Sequence, residues 1–64
     1  MPIIRVEMFE GRDRAQKRKI ISEVTAGFCR ATGASPESVN VILTDVSQNE
    51  WARGGVPFAD RDKS

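Results

Sequence analysis

The chain has 64 residues, enough for one domain, and a chain of this length buries only about 60% of the surface its unfolded form exposes. One cysteine and no histidine exclude an intramolecular disulfide and leave a structural zinc ion without an adequate ligand set, so oligomerisation is the expected way to enlarge so small a core. Ten Lys and Arg against nine Asp and Glu give a formal charge of +1, a balance that marks neither a nucleic-acid-binding nor a membrane-binding protein.

In chain order, IIRVEMF (residues 3–9) places Ile4, Val6 and Met8 on one face and Ile3, Arg5 and Glu7 on the other, a period of two that predicts a strand. Pro2 stands at its mouth, where a missing N–H removes no ladder hydrogen bond. A small residue after the initiating methionine also favours removal of Met1, which turns Pro2 from an amide into a free secondary amine. Glu10-Gly11 breaks the strand, and Asp13 with Gln16 three residues later resembles a capping box at a helix start. From Asp13 to about Thr32, Ile20, Ile21, Val24, Phe28 and Ala31 form one apolar stripe at helical spacing, which predicts an amphipathic helix of about five turns. Gly33 suits the left-handed cap that ends a helix. Ser35-Pro36-Glu37 reads as one short turn with proline at its first position, and Val39 to Val46, rich in β-branched residues, as a second strand.

Strand, helix and strand with short connections predict a single β-α-β unit of the α/β (α+β) class, its two strands parallel and its crossover right-handed. Parallel strands are normally covered on both faces. One helix covers one face, so another subunit is expected on the second. The double glycine Gly54-Gly55 between Trp51 and Phe58 predicts a small hairpin or arm reaching onto a neighbour, and the polar ADRDKS that ends the sequence is expected to fray. The whole is read as one domain, residues 1–64, with a core over 2–55 and an arm or tail over 56–64. A lone cysteine, no signal peptide and no run of about 18 apolar residues predict a cytoplasmic protein.

The order MP, strand, EGR, a Lys/Arg-rich helix, a Val-rich strand and NEWARGG resembles the 4-oxalocrotonate tautomerase family over Pro2 to about Gly55. The resemblance implies a hexamer, a trimer of dimers, that works without metal or organic cofactor; the charge balance already predicts no nucleic-acid or membrane partner. It implies that Pro2 is the general base, moving a proton along a conjugated dienol in 2-hydroxymuconate-like carboxylates from aromatic degradation. It further implies that Arg12 holds a substrate carboxylate and that Trp51 walls the site.

These roles suit the residue types. A general base works best with a pKa near the working pH. An exposed α-amino group lies at about 7.7–8.0 and a secondary amine somewhat higher, so burial and a nearby cation would bring it down. Ile3, Phe9 and Trp51 offer the apolar wall and Arg12 the cation, whose planar fork matches a carboxylate. Trp51 equally fits an interface anchor, and Arg14, Lys17, Arg18 and Lys19 an ordinary solvated face or an attractor of anions. Cys29, with no histidine to activate it, reads as a small buried or interfacial side chain.

One position departs from the family. Where its tautomerases carry a second arginine on strand two, this chain has Asn40, which donates a hydrogen bond but carries no charge. Arg53, on the Trp51 arm, is either the replacement cation or a solvated arginine. A partner chain in a hetero-oligomer is another source of the missing arginine. Relatives that hydrate haloacrylates need an acid to activate water, for which Glu7, Glu10 and Asp45 are the candidates. A non-catalytic subunit is the remaining alternative.

Overall fold

The computed structural model describes residues 1–61. Strand β1 (Ile3–Phe9) leads through a short turn to helix α1 (Arg14–Thr32), and strand β2 (Asn40–Val46) returns parallel to β1, pairing Ile3 with Asn40 and Phe9 with Val46. The Asp13 carboxylate caps α1 by accepting from the Gln16 amide at 2.8 Å. Gly33 ends the helix with φ 78°, its N–H donating to the Cys29 carbonyl, a geometry that costs glycine nothing. A single 3-10 turn, Pro36–Ser38, has proline at its first position, as the sequence predicts, although the Ser35 side chain caps nothing.

The period of two in β1 decides what each face does. Ile4, Val6 and Met8 and the paired Val41 and Leu43 are half-buried on one face, toward which α1 turns Ile20, Val24 and Phe28, also half-buried. Ile21 and Ala31 of the expected stripe remain exposed. Lys17 of α1 pairs with Asp45 of β2, so this lysine ties helix to sheet rather than belonging to the solvated face.

The other face carries Ile3, Arg5, Glu7, Asn40, Ile42 and Thr44, all exposed. Ile3 is 57% and Ile42 39% accessible, and no described residue is fully buried. The radius of gyration is 15.1 Å, against about 11 Å for a compact chain of this length. An open apolar sheet face and an elongated shape leave a folding problem that the single chain does not solve.

Part of the excess length is the C-terminal arm. Ser47 caps a 3-10 turn, Gln48–Glu50, by accepting from the Asn49 amide. Ala52–Arg53 (β3) and Val56–Pro57 (β4) then pair antiparallel around Gly54 and Gly55, both with positive φ, which the tight two-residue hairpin requires. A last 3-10 turn, Phe58–Asp60, is followed by Arg61. The frayed end expected for ADRDKS therefore does not hold for Ala59, Asp60 and Arg61, which this turn orders; the rest of that stretch, residues 62–64, lies outside the described residues.

Candidate active site

The predicted site residues fall into two groups at opposite ends of the sheet. At the head, Pro2 is half-buried and its carbonyl accepts from the Asn40 amide at 3.0 Å. Pro2 is thus fastened through its carbonyl at the open end of β1, with Asn40 as its neighbour on β2. Met1, by contrast, is 89% exposed and contributes almost no packing.

At the foot of the sheet, the arm folds back on Phe9. The Phe9 and Trp51 rings meet edge to face, 4.6 Å between centroids, and Phe58 lies 5.3 Å from Phe9 and 6.4 Å from Trp51. A 2.7 Å hydrogen bond from the Phe58 amide to the Trp51 carbonyl fixes the return of the chain. By the alternation of β1, Phe9 belongs to the open face, so the aromatic cluster covers that face only at this end.

Arginines surround the cluster. Arg12 donates to the Phe9 carbonyl at 3.4 Å, a long contact that leaves its guanidinium available. Arg53 stacks over Phe58 with its guanidinium carbon 5.2 Å from the ring centroid, and Arg61 does so at 5.1 Å. Arg61 also donates to the Arg53 carbonyl at 3.1 Å. Arg12 further borders an open cavity of about 370 Å³ along the first turns of α1, with Gln16, Lys19, Ile20 and Glu23, which is remote from Pro2.

Within one chain, then, the fold joins Phe9, Trp51, Arg53 and Arg12, and separately Pro2 with Asn40. The two groups do not meet, because seven residues of strand at about 3.3 Å each hold Pro2 roughly 23 Å from Phe9. Ile3 stays with Pro2 and does not share a wall with Phe9 and Trp51. Phe58 and Arg61 join this end of the sheet beyond the residues expected from the sequence; an aromatic with an arginine three residues on, just after the glycine hairpin, is the signal that points to them. Of the acids considered for activating water, Asp45 is held by Lys17, while Glu7 and Glu10 are exposed. Cys29 is half-buried with a free thiol. Among the described residues no three acidic or cysteine side chains assemble as metal ligands, and no helix is long and apolar enough to cross a membrane.

The fold is thus a parallel β-α-β unit with a proline at the head of its sheet and two arginines stacked on an aromatic ring at its foot. Residues 2–61 match the family described as Tautomerase enzyme. The chain is 38% identical over 61 residues, 95% of its length and all of the relative's, to a protein of Bacillus cereus named "Probable tautomerase". It superposes with a TM-score of 0.84 on a 4-oxalocrotonate tautomerase isozyme from Methylibium petroleiphilum, at 38% identity covering 91% of this chain and 94% of that one. A heterohexamer 4-oxalocrotonate tautomerase from Chloroflexus aurantiacus gives a TM-score of 0.87 at 28% identity, covering 94% and 97%. The chain belongs to the tautomerase family, and with the family comes its general chemistry, proton transfer on small carboxylate substrates.

Proposed function

We propose that the protein is a keto-enol tautomerase acting on 2-hydroxydienoates or enolisable 2-keto acids of the 2-hydroxymuconate kind. Pro2, freed by removal of Met1, is its general base. The nitrogen lone pair takes the proton of the 2-hydroxyl group and returns it to a carbon at the far end of the conjugated system, giving the isomeric enone with no net gain or loss of atoms. Arg12 holds a substrate carboxylate, Phe9 and Trp51 form the apolar wall, Asn40 donates a hydrogen bond beside Pro2, and Arg53 supplies the second cation that strand two lacks.

The observation that carries this reading is the contrast at the amino terminus. Met1 is 89% exposed, while Pro2 is anchored through its carbonyl to Asn40. Losing Met1 therefore costs almost no packing and leaves a basic nitrogen already in place. The distance between the ends of β1 supports a site shared between subunits, one copy bringing Pro2 and another Arg12 and the aromatic cluster, in an oligomer that covers Ile3 and Ile42. A hexamer, as a trimer of dimers, suits that sharing.

Asn40 favours one second reading, a hetero-oligomer in which a different chain brings the missing arginine. Native mass spectrometry of the protein expressed alone separates the two, since an active homohexamer needs no partner. The test of the main reading is the rate of dienol tautomerisation by wild type and Pro2→Ala. A tenfold or greater loss of kcat is expected, the primary amine of alanine being a poorer base in this position. Equal rates would remove Pro2 from the mechanism.

A further inference from the structure

Arg12 stands on the turn between β1 and α1, and little within that turn decides where its guanidinium goes. Gly11 beside it has φ 122°, a conformation open to glycine and strained for other residues, and among the described residues a side chain there would meet nothing within 4 Å. Arg12 itself is exposed, and its 3.4 Å hydrogen bond to the Phe9 carbonyl is too long to hold it firmly. A long side chain beside an unpacked glycine loses much freedom when it grips a ligand. That cost falls only if the backbone on both sides is fixed.

Two consecutive residues of β2 fix both sides. On the strand side, the Glu10 amide donates to the Val46 carbonyl at 3.1 Å. On the helix side, Lys17 pairs with Asp45, the one ion pair among the described residues. Asp13 carries that restraint back to the turn, because its carbonyl accepts from the Lys17 amide at 3.1 Å and its carboxylate from the Gln16 amide at 2.8 Å. The Val46 hydrogen bond alone would leave the start of α1 free to swing about Gly11; the ion pair removes that freedom. We infer that Lys17 and Asp45 are positioning residues for Arg12, holding the first turns of α1 to the end of β2 and so aiming the guanidinium that takes the substrate carboxylate. This inference rests on the tautomerase reading above, in which Arg12 is the anchor, and it gives Asp45 a role other than activating water. The pair is partly exposed and adds little to stability; its effect lies in geometry, since a small misplacement of a binding group is costly in rate.

A double-mutant cycle on the assembled protein tests it, read by steady-state tautomerisation of a 2-hydroxymuconate-type dienol, with native mass spectrometry confirming that each variant assembles as wild type does. Asp45→Asn and Lys17→Met are each expected to raise KM at least about threefold with kcat little changed, a coupling usual within one network of contacts. In an Arg12→Ala background the same substitutions should change kcat/KM by less than about 1.5-fold, because the group they aim is gone. An unchanged KM in either variant overturns the inference. So does a loss as large without Arg12 as with it, which is the mark of a merely structural tie. The two readings fail separately: wild-type kinetics in Arg12→Ala remove the anchor and the positioning role together, whereas an Arg12-dependent enzyme indifferent to Lys17 and Asp45 removes only the positioning pair.

Discussion

Replacing Arg12 by alanine separates substrate binding from folding more cleanly than any other change at the foot of the sheet. Arg12 is exposed, makes no ion pair among the described residues, and gives only a 3.4 Å hydrogen bond to the Phe9 carbonyl. A contact that long belongs at the weak end of hydrogen bonds, about 0.5 kcal/mol net, which in a domain of this size moves the melting temperature by about 2–4 °C. Its proposed bond to a substrate carboxylate is charge-assisted and worth about 1.5–3 kcal/mol, or roughly 10- to 150-fold in kcat/KM at about 1.4 kcal/mol per decade. The assay is steady-state tautomerisation of a 2-hydroxymuconate-type dienol at low ionic strength, alongside thermal unfolding followed by circular dichroism. A rise in KM should carry most of the loss. A change below threefold in kcat/KM, with the melting temperature lowered by no more than about 2–4 °C, would refute the assignment of Arg12 as the carboxylate anchor.

Other expectations follow from the same geometry. Asn40→Arg places a cation beside Pro2, which lowers the pKa of its ammonium; because the amine is active only when deprotonated, the ascending limb of the kcat/KM profile should move to lower pH, and a static limb contradicts the placement. Ile42→Lys puts a charge on the open sheet face, and native mass spectrometry should then show smaller species than the wild-type assembly. Lys17→Met cuts the tie between α1 and β2 and leaves Asp45 unpaired at a partly exposed site, so thermal or chemical unfolding should record a loss of about 0.2–1 kcal/mol with the proton-transfer rate little changed.

Local chemistry made the elements legible in the sequence. The alternation in IIRVEMF, the Asp13 cap, the Gly33 stop and the Gly54-Gly55 hairpin each depend on residues close in the chain, and each is present in the structure. The open face followed from counting helices. The division of the site did not follow from spacing alone, because Pro2 and Arg12 are near in sequence yet a straight strand holds them apart. Phe58 and Arg61 were harder still: their stack depends on the hairpin folding the arm back onto Phe9, a contact between residues 49 positions apart, and the polar composition of ADRDKS argued for a loose end. Asn40 draws attention in the sequence by the resemblance alone, whereas its place beside Pro2 follows only from the parallel register.

In the proposed mechanism a free Pro2 nitrogen performs the proton transfer. The most direct measurement is the tautomerisation rate of protein whose Met1 has been retained by blocking the methionine aminopeptidase during expression, with intact mass giving the fraction of chains processed. Retained Met1 leaves Pro2 as an amide, which is not a base, and general base catalysis is worth about 10²–10⁴-fold. Activity should scale with the processed fraction and fall at least about 100-fold when Met1 is fully retained. Full activity in chains whose mass includes Met1 would contradict it.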